Sequence, residues 1–107
     1  MIELPERAAM PEYQRYIHDL EALHGWLQQD LVHNCFRMGE EVGELFKAVR
    51  QYEKPAPEAQ AAQARAHVGE ELVDVLNYLL AIANRAGVDL EQAFREKNAR
   101  NQQRTWR

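Results

Sequence analysis

At 107 residues, 46% hydrophobic and 28% charged, the chain is the size of one domain and has enough apolar side chains for a core. Its net charge of −4 argues against general nucleic-acid binding, and no apolar run approaches the roughly 20 residues that cross a membrane. The segment Met1-Ile2-Glu3-Leu4-Pro5-Glu6-Arg7 lacks the regions of a signal peptide, and the single cysteine, Cys35, excludes an intrachain disulfide and a thiolate-rich metal site, so the expected compartment is the cytoplasm.

Glycine and proline separate periodic segments, and no stretch alternates with period two, so the expected fold class is all-α over a single domain, 1–107, with its core at about 11–104. A first helix starts near Pro11, carries Tyr13, Tyr16, Ile17, Leu20 and Leu23, and stops at Gly25. A second starts with Asp30 as N-cap and has the stripe Leu31, Cys35, Met38, Val42, Leu45 and Val49. Cys35 reads as a small buried hydrophobe on that stripe. Pro55 and Pro57 mark the main loop, about 51–59, and the Ala/Gln-rich 59–66 extends a third helix backwards. That helix has the stripe Val68, Leu72, Val75, Leu79 and Ile82, widened by Leu76 and Leu80, and ends at Gly87. Asp89 then caps a fourth helix, with Gln92 at the position of a capping box.

The second and third helices each carry a pair of acids at i, i+3 spacing: Glu41 and Glu44, then Glu71 and Asp74. Such spacing sets both carboxylates on one face, one turn apart. Each acid precedes a stripe residue by one step, roughly 100°, so all four lie at the same edge of the buried face. Either pair alone also reads as a solvated face. Two packed helices at matching phase would aim four carboxylates at one point, and these cannot all stay charged without a cation. Hard oxygen ligands with room for water suit Mg²⁺ or Mn²⁺, the ions that carry phosphates.

The fourth helix begins its stripe with Leu90 and Phe94 and continues on the same face as Lys97, Asn101 and Arg104. A face that turns from apolar to cation, amide and cation suits a polar partner such as phosphate. Basic residues at a terminal helix also suit its dipole. Trp26, after the Gly25 break, reads as packing at a helix junction or as a surface for a base. Trp106 reads as a cap on the core or a contact with another subunit. His18, His24, His33 and His67 form no cluster in the sequence.

Glu40-Glu41-Val42-Gly43-Glu44-Leu45, then Glu70-Glu71-Leu72-Val73-Asp74-Val75-Leu76-Asn77-Tyr78, then Glu96-Lys97-Asn98-Ala99-Arg100-Asn101-Gln102-Gln103-Arg104-Thr105-Trp106 resemble the MazG-like nucleoside triphosphate pyrophosphohydrolases, of the all-α NTP pyrophosphatase superfamily. The resemblance runs from about Tyr13 to Trp106. It implies a four-helix bundle completed by oligomerisation, as homodimer or homotetramer. It implies Mg²⁺ held by Glu41, Glu44, Glu71 and Asp74, and hydrolysis of a nucleoside triphosphate to monophosphate and pyrophosphate, in a role such as nucleotide-pool house-cleaning. Glu40 completes the acidic pattern and would orient or deprotonate water. Lys97, Asn101 and Arg104 match positions that contact phosphates or the base, and Tyr78 matches an aromatic that stacks on the base. The readings that compete are a phosphoribosyl-ATP pyrophosphohydrolase, a helical interaction module without catalysis, and a di-iron bundle. The last rests on Glu21-x-x-His24 and Asp30-x-x-His33.

Overall fold

A computed structural model describes residues 2–104. Four helices follow one another: α1 (Met10–His24), α2 (Leu31–Tyr52), α3 (Glu58–Ala86) and α4 (Leu90–Gln102). Trp106 lies outside the described residues.

The boundaries follow from local chemistry. Pro11 sits in the first turn of α1, where its missing N–H costs nothing, and Glu12 accepts from the Ala9 N–H at 2.9 Å. α1 and α3 end at Gly25 and Gly87, with φ of 74° and 69°, a left-handed conformation that glycine adopts without strain. Asp30 caps α2 by accepting from the His33 N–H at 2.7 Å. Asp89 caps α4 through the Gln92 N–H at 3.1 Å. The expected box around Asp89 does not close, because the Gln92 amide instead donates to Glu96 at 3.0 Å. α3 does begin at Glu58, with the Ala/Gln stretch as its opening turns.

α2 and α3 form the main pair, α1 packs on α3, and α4 packs on α1. Ile17, Leu80 and Ala81 are the centre of the core, with Leu20 and Leu90 packed around them. A buried Gln14 ties this end together. Its Nε2 donates to Asn84 Oδ1 and Val88 O at 3.1 and 2.9 Å, and its Oε1 accepts from the Leu90 N–H at 3.0 Å. Asn84 Nδ2 returns a bond to Gln14 O at 2.8 Å.

The core does not follow the expected stripes. Leu31, Val49, Leu72 and Leu79 are each more than a third exposed, and Cys35 is exposed rather than buried. Burial concentrates where α1 crosses α3. Among the described residues, no helix covers much of the apolar face of the α2–α3 pair. The radius of gyration, 16.6 Å, exceeds the roughly 13 Å of a compact chain of this length, consistent with an open arrangement.

Candidate functional site

The acids predicted to converge sit midway along the long helix pair. Carboxylate oxygens of Glu41, Glu71 and Asp74 lie within 4.8 Å of one another. Glu44 is not part of this group. Its carboxylate is half exposed and faces Lys47 Nζ at 3.9 Å, one turn on. Glu40 is exposed on α2 beside the cluster.

Crowding of like charge has a visible effect. The Glu41 carboxyl is pushed above its ordinary value, first by burial and then by the neighbouring Asp74 and Glu71, with Arg37 pulling the other way. Glu71 Oε2 is buried with no hydrogen-bond partner, while its Oε1 lies 3.7 Å from His67 Nε2. A buried carboxylate oxygen with no donor, beside two more carboxylates, fits a divalent cation.

The cluster opens into a cavity of about 490 Å³ that runs towards the α1–α2 turn. Glu41 and Asp74 form one end, and Ile17, Leu20, Trp26 and Ala81 contribute apolar wall. Tyr78 lines it one turn beyond Asp74, and its hydroxyl accepts from Arg37 Nε at 3.3 Å. Arg37 is one turn before Glu41. Stepping back along α2 and forward along α3 thus keeps the two in register, so the helices run antiparallel. The Tyr78 hydrogen bond and the nearby Glu40 hold the Arg37 guanidinium more firmly protonated.

The turn that closes the cavity is held by Arg85. Its guanidinium bonds both Glu21 carboxylate oxygens, at 3.1 and 2.5 Å, and also Trp26 O, Gln29 O and Ala81 O. This occupies Glu21, one of the acids on which a di-iron reading would depend. Trp26 is half exposed and stacks on His24 with ring centroids 4.5 Å apart. It therefore lines the cavity rather than packing into the core.

Lys97, Asn101 and Arg104 are on α4, which packs on α1, and none of them lines this cavity within one chain. Lys97 and Arg104 are exposed. Asn101 donates to Asn98 Oδ1 at 3.1 Å, and its own Oδ1 is buried without a partner. Four polar cavity residues escaped the sequence reading: Gln29, Asn34, Arg37 and Asn77. Asn34 and Arg37 precede Glu41 by seven and four residues, so helical phase alone sets them on the Glu41 face.

The class defined by these features is an all-α bundle whose long helix pair bears a carboxylate cluster opening on an aromatic-lined cavity. The chain belongs to the MazG nucleotide pyrophosphohydrolase family, whose domain matches residues 30–106. It is 47% identical over 64 residues to the Mus musculus protein named dCTP pyrophosphatase 1, covering 60% of this chain and 37% of that protein. The Bos taurus protein of the same name is 44% identical over 66 residues, covering 60% and 39%. The Rattus norvegicus one is 45% identical over 64 residues, covering 60% and 37%. The matched segment thus spans less than two-fifths of these relatives.

Proposed function

We propose that this chain is a Mg²⁺-dependent nucleoside triphosphate pyrophosphohydrolase, cleaving (d)NTP to (d)NMP and pyrophosphate in nucleotide-pool house-cleaning. The observation that carries the reading is the Glu41–Glu71–Asp74 cluster, with its unpartnered Glu71 oxygen, at the end of a cavity walled by Tyr78 and Trp26. The family and the named relatives support the same chemistry.

Glu41, Glu71 and Asp74 would hold the ion, with Glu44 reaching it by a change of rotamer from its exposed position. Mg²⁺, or Mn²⁺ in its place, supplies charge neutralisation on phosphate oxygens and lowers the pKa of bound water. The protein's own residues do the rest. Glu40 or Glu41 orients and deprotonates the attacking water. Tyr78 and Trp26 offer flat faces to the base, and Arg37 offers a planar cation one turn from the acids.

Lys97, Asn101 and Arg104 enter this scheme through assembly as a homodimer or homotetramer. Phe36, Phe46, Leu72, Val73 and Phe94 are all more than half exposed, which is unusual for a free monomer of this size. A second copy seated on the α2–α3 face would cover the exposed apolar residues of α2 and α3 and bring a basic α4, with its exposed Phe94, towards the acids, where Lys97 and Arg104 would steady the departing pyrophosphate. No helix among the described residues is long and apolar enough to cross a membrane.

The test is a nucleotide panel with Mg²⁺, its products resolved by ion exchange. Monophosphate plus pyrophosphate is the expected outcome. Diphosphate plus phosphate would place the cut at the wrong bond.

A further inference from the structure

Asn34 is 4% exposed, yet it lines the cavity. Its Nδ2 donates to Asp30 O at 2.8 Å and to Gln29 O at 3.5 Å. Two backbone carbonyls can only accept, so the amide nitrogen must face them and the orientation of the group is settled. Both amide hydrogens are thereby used. Oδ1 points the other way, and no hydrogen bond to it is seen among the described residues. The result is a fixed acceptor, without a donor among the described residues, in the wall of the cavity.

Its place in the cavity says what it meets. Asn34 is seven residues before Glu41, which on a helix is the same face, two turns and ~10 Å away. A nucleotide whose phosphates lie at the Glu41–Asp74 end would extend its ribose past Arg37 and its base, against Tyr78, towards Asn34. We propose that Asn34 selects nucleobases with an exocyclic amino group over those with a carbonyl at the same ring position: cytosine over uracil, adenine over hypoxanthine. The inference rests on the reading of this cavity as a nucleoside triphosphate site.

The chemistry is one of sign. An exocyclic amine donates to Oδ1 and satisfies it. A carbonyl at that place would set two acceptors face to face, and the Asn34 amide cannot turn over to relieve them without breaking its bonds to Asp30 and Gln29. A site built to bond one group rejects the analogue that lacks it far better than an apolar pocket rejects a change of size. A ribose hydroxyl can donate as well, but it belongs to every substrate and would confer no preference among bases.

The experiment compares kcat/KM for two matched pairs, dCTP with dUTP and dATP with dITP, in the wild type and in Asn34→Leu. The wild type is expected to favour the amino member of each pair by at least about tenfold, and Asn34→Leu to bring both ratios near one. A wild type with no such preference overturns the proposal without recourse to any variant. So does a preference that survives Asn34→Leu in a protein of unchanged helicity. A variant that alters only the ratio of CTP to dCTP would assign Asn34 to the ribose and also overturns it. If the wild type hydrolyses no triphosphate, the proposed activity fails. Calorimetric binding of dCMP against dUMP then decides the role of Asn34 independently, tighter dCMP supporting it and equal binding overturning it.

Discussion

Glu21–Arg85 and Glu41–Glu71–Asp74 are both clusters of half-hidden charge beside the same cavity, and they are built on opposite principles. In the first, acid and base are matched. The side chains are 9% and 13% exposed, both carboxylate oxygens are bonded, and the rest of the guanidinium fork is taken up by backbone carbonyls. In the second, the charges are of one sign, one Glu71 oxygen has no donor, and the Glu41 carboxyl resists ionisation. A satisfied network fixes structure, whereas an unsatisfied one destabilises the free protein and gains from a ligand. The Arg85 network positions Trp26 and the start of α2, and the acidic cluster is left for chemistry.

The largest effect should come from removing charge at the unsatisfied cluster. Glu41→Gln or Asp74→Asn is expected to lower turnover by more than about 100-fold while circular dichroism shows the helices intact. Near-normal rates in both variants would reduce the cluster to a surface feature.

Breaking the satisfied cluster should act on stability instead. Arg85→Ala leaves Glu21 buried and charged without a partner, at a cost of about 3–5 kcal/mol, and the melting temperature should drop by more than roughly 10 °C. The double change Glu21→Leu with Arg85→Met should recover part of that loss but not all of it. It removes the uncompensated charge, yet Trp26 O and Gln29 O still lack their donor. Full recovery would mean that the ion pair, not the anchored turn, was what mattered.

A ligand effect of intermediate size separates the clusters again. Mg²⁺ at a hundred times its dissociation constant should stabilise the wild type by about 2.7 kcal/mol and leave Glu41→Gln little changed. Equal stabilisation of both proteins in thermal melts would locate the ion elsewhere.

Helix ends and the pairing of acids were legible in the sequence because each rests on a short-range rule. Asp30, Gly25 and Gly87 act within one turn of themselves. The convergence of Glu41, Glu71 and Asp74 follows from phase on two neighbouring helices. The core was less legible. Periodicity says that Leu72, Leu79 and Cys35 share an apolar face, but not whether that face meets α1 or a different chain. Glu44 illustrates the same limit. Its i, i+3 relation to Glu41 puts it on the right side of α2, and its rotamer then carries it to Lys47. Arg85 was out of reach for another reason, since its partners are an acid 64 residues away and carbonyls in a turn, neither of which leaves a pattern. Asn34 and Arg37 were within reach, two turns and one turn before Glu41 on its face.

The smallest expected effect tests the electrostatics of the acidic cluster directly. The folded-state pKa of Glu41 lies above its ordinary 4.5, so the folded protein binds this proton more tightly than the unfolded chain does. For this group, stability without metal is therefore present at acid pH and is lost as pH rises from about 4.5 through the folded value. Glu41→Gln carries no such proton. In chelator it should be more stable than the wild type at pH 7, and the gap should close as the pH falls towards 4.5. Taking the difference between the two proteins removes the titration of groups they share. A gap independent of pH would show that Glu41 is not strained by its neighbours. Closure of the gap at pH 7 by Mg²⁺ alone would tie that strain to the ion the cluster is proposed to hold.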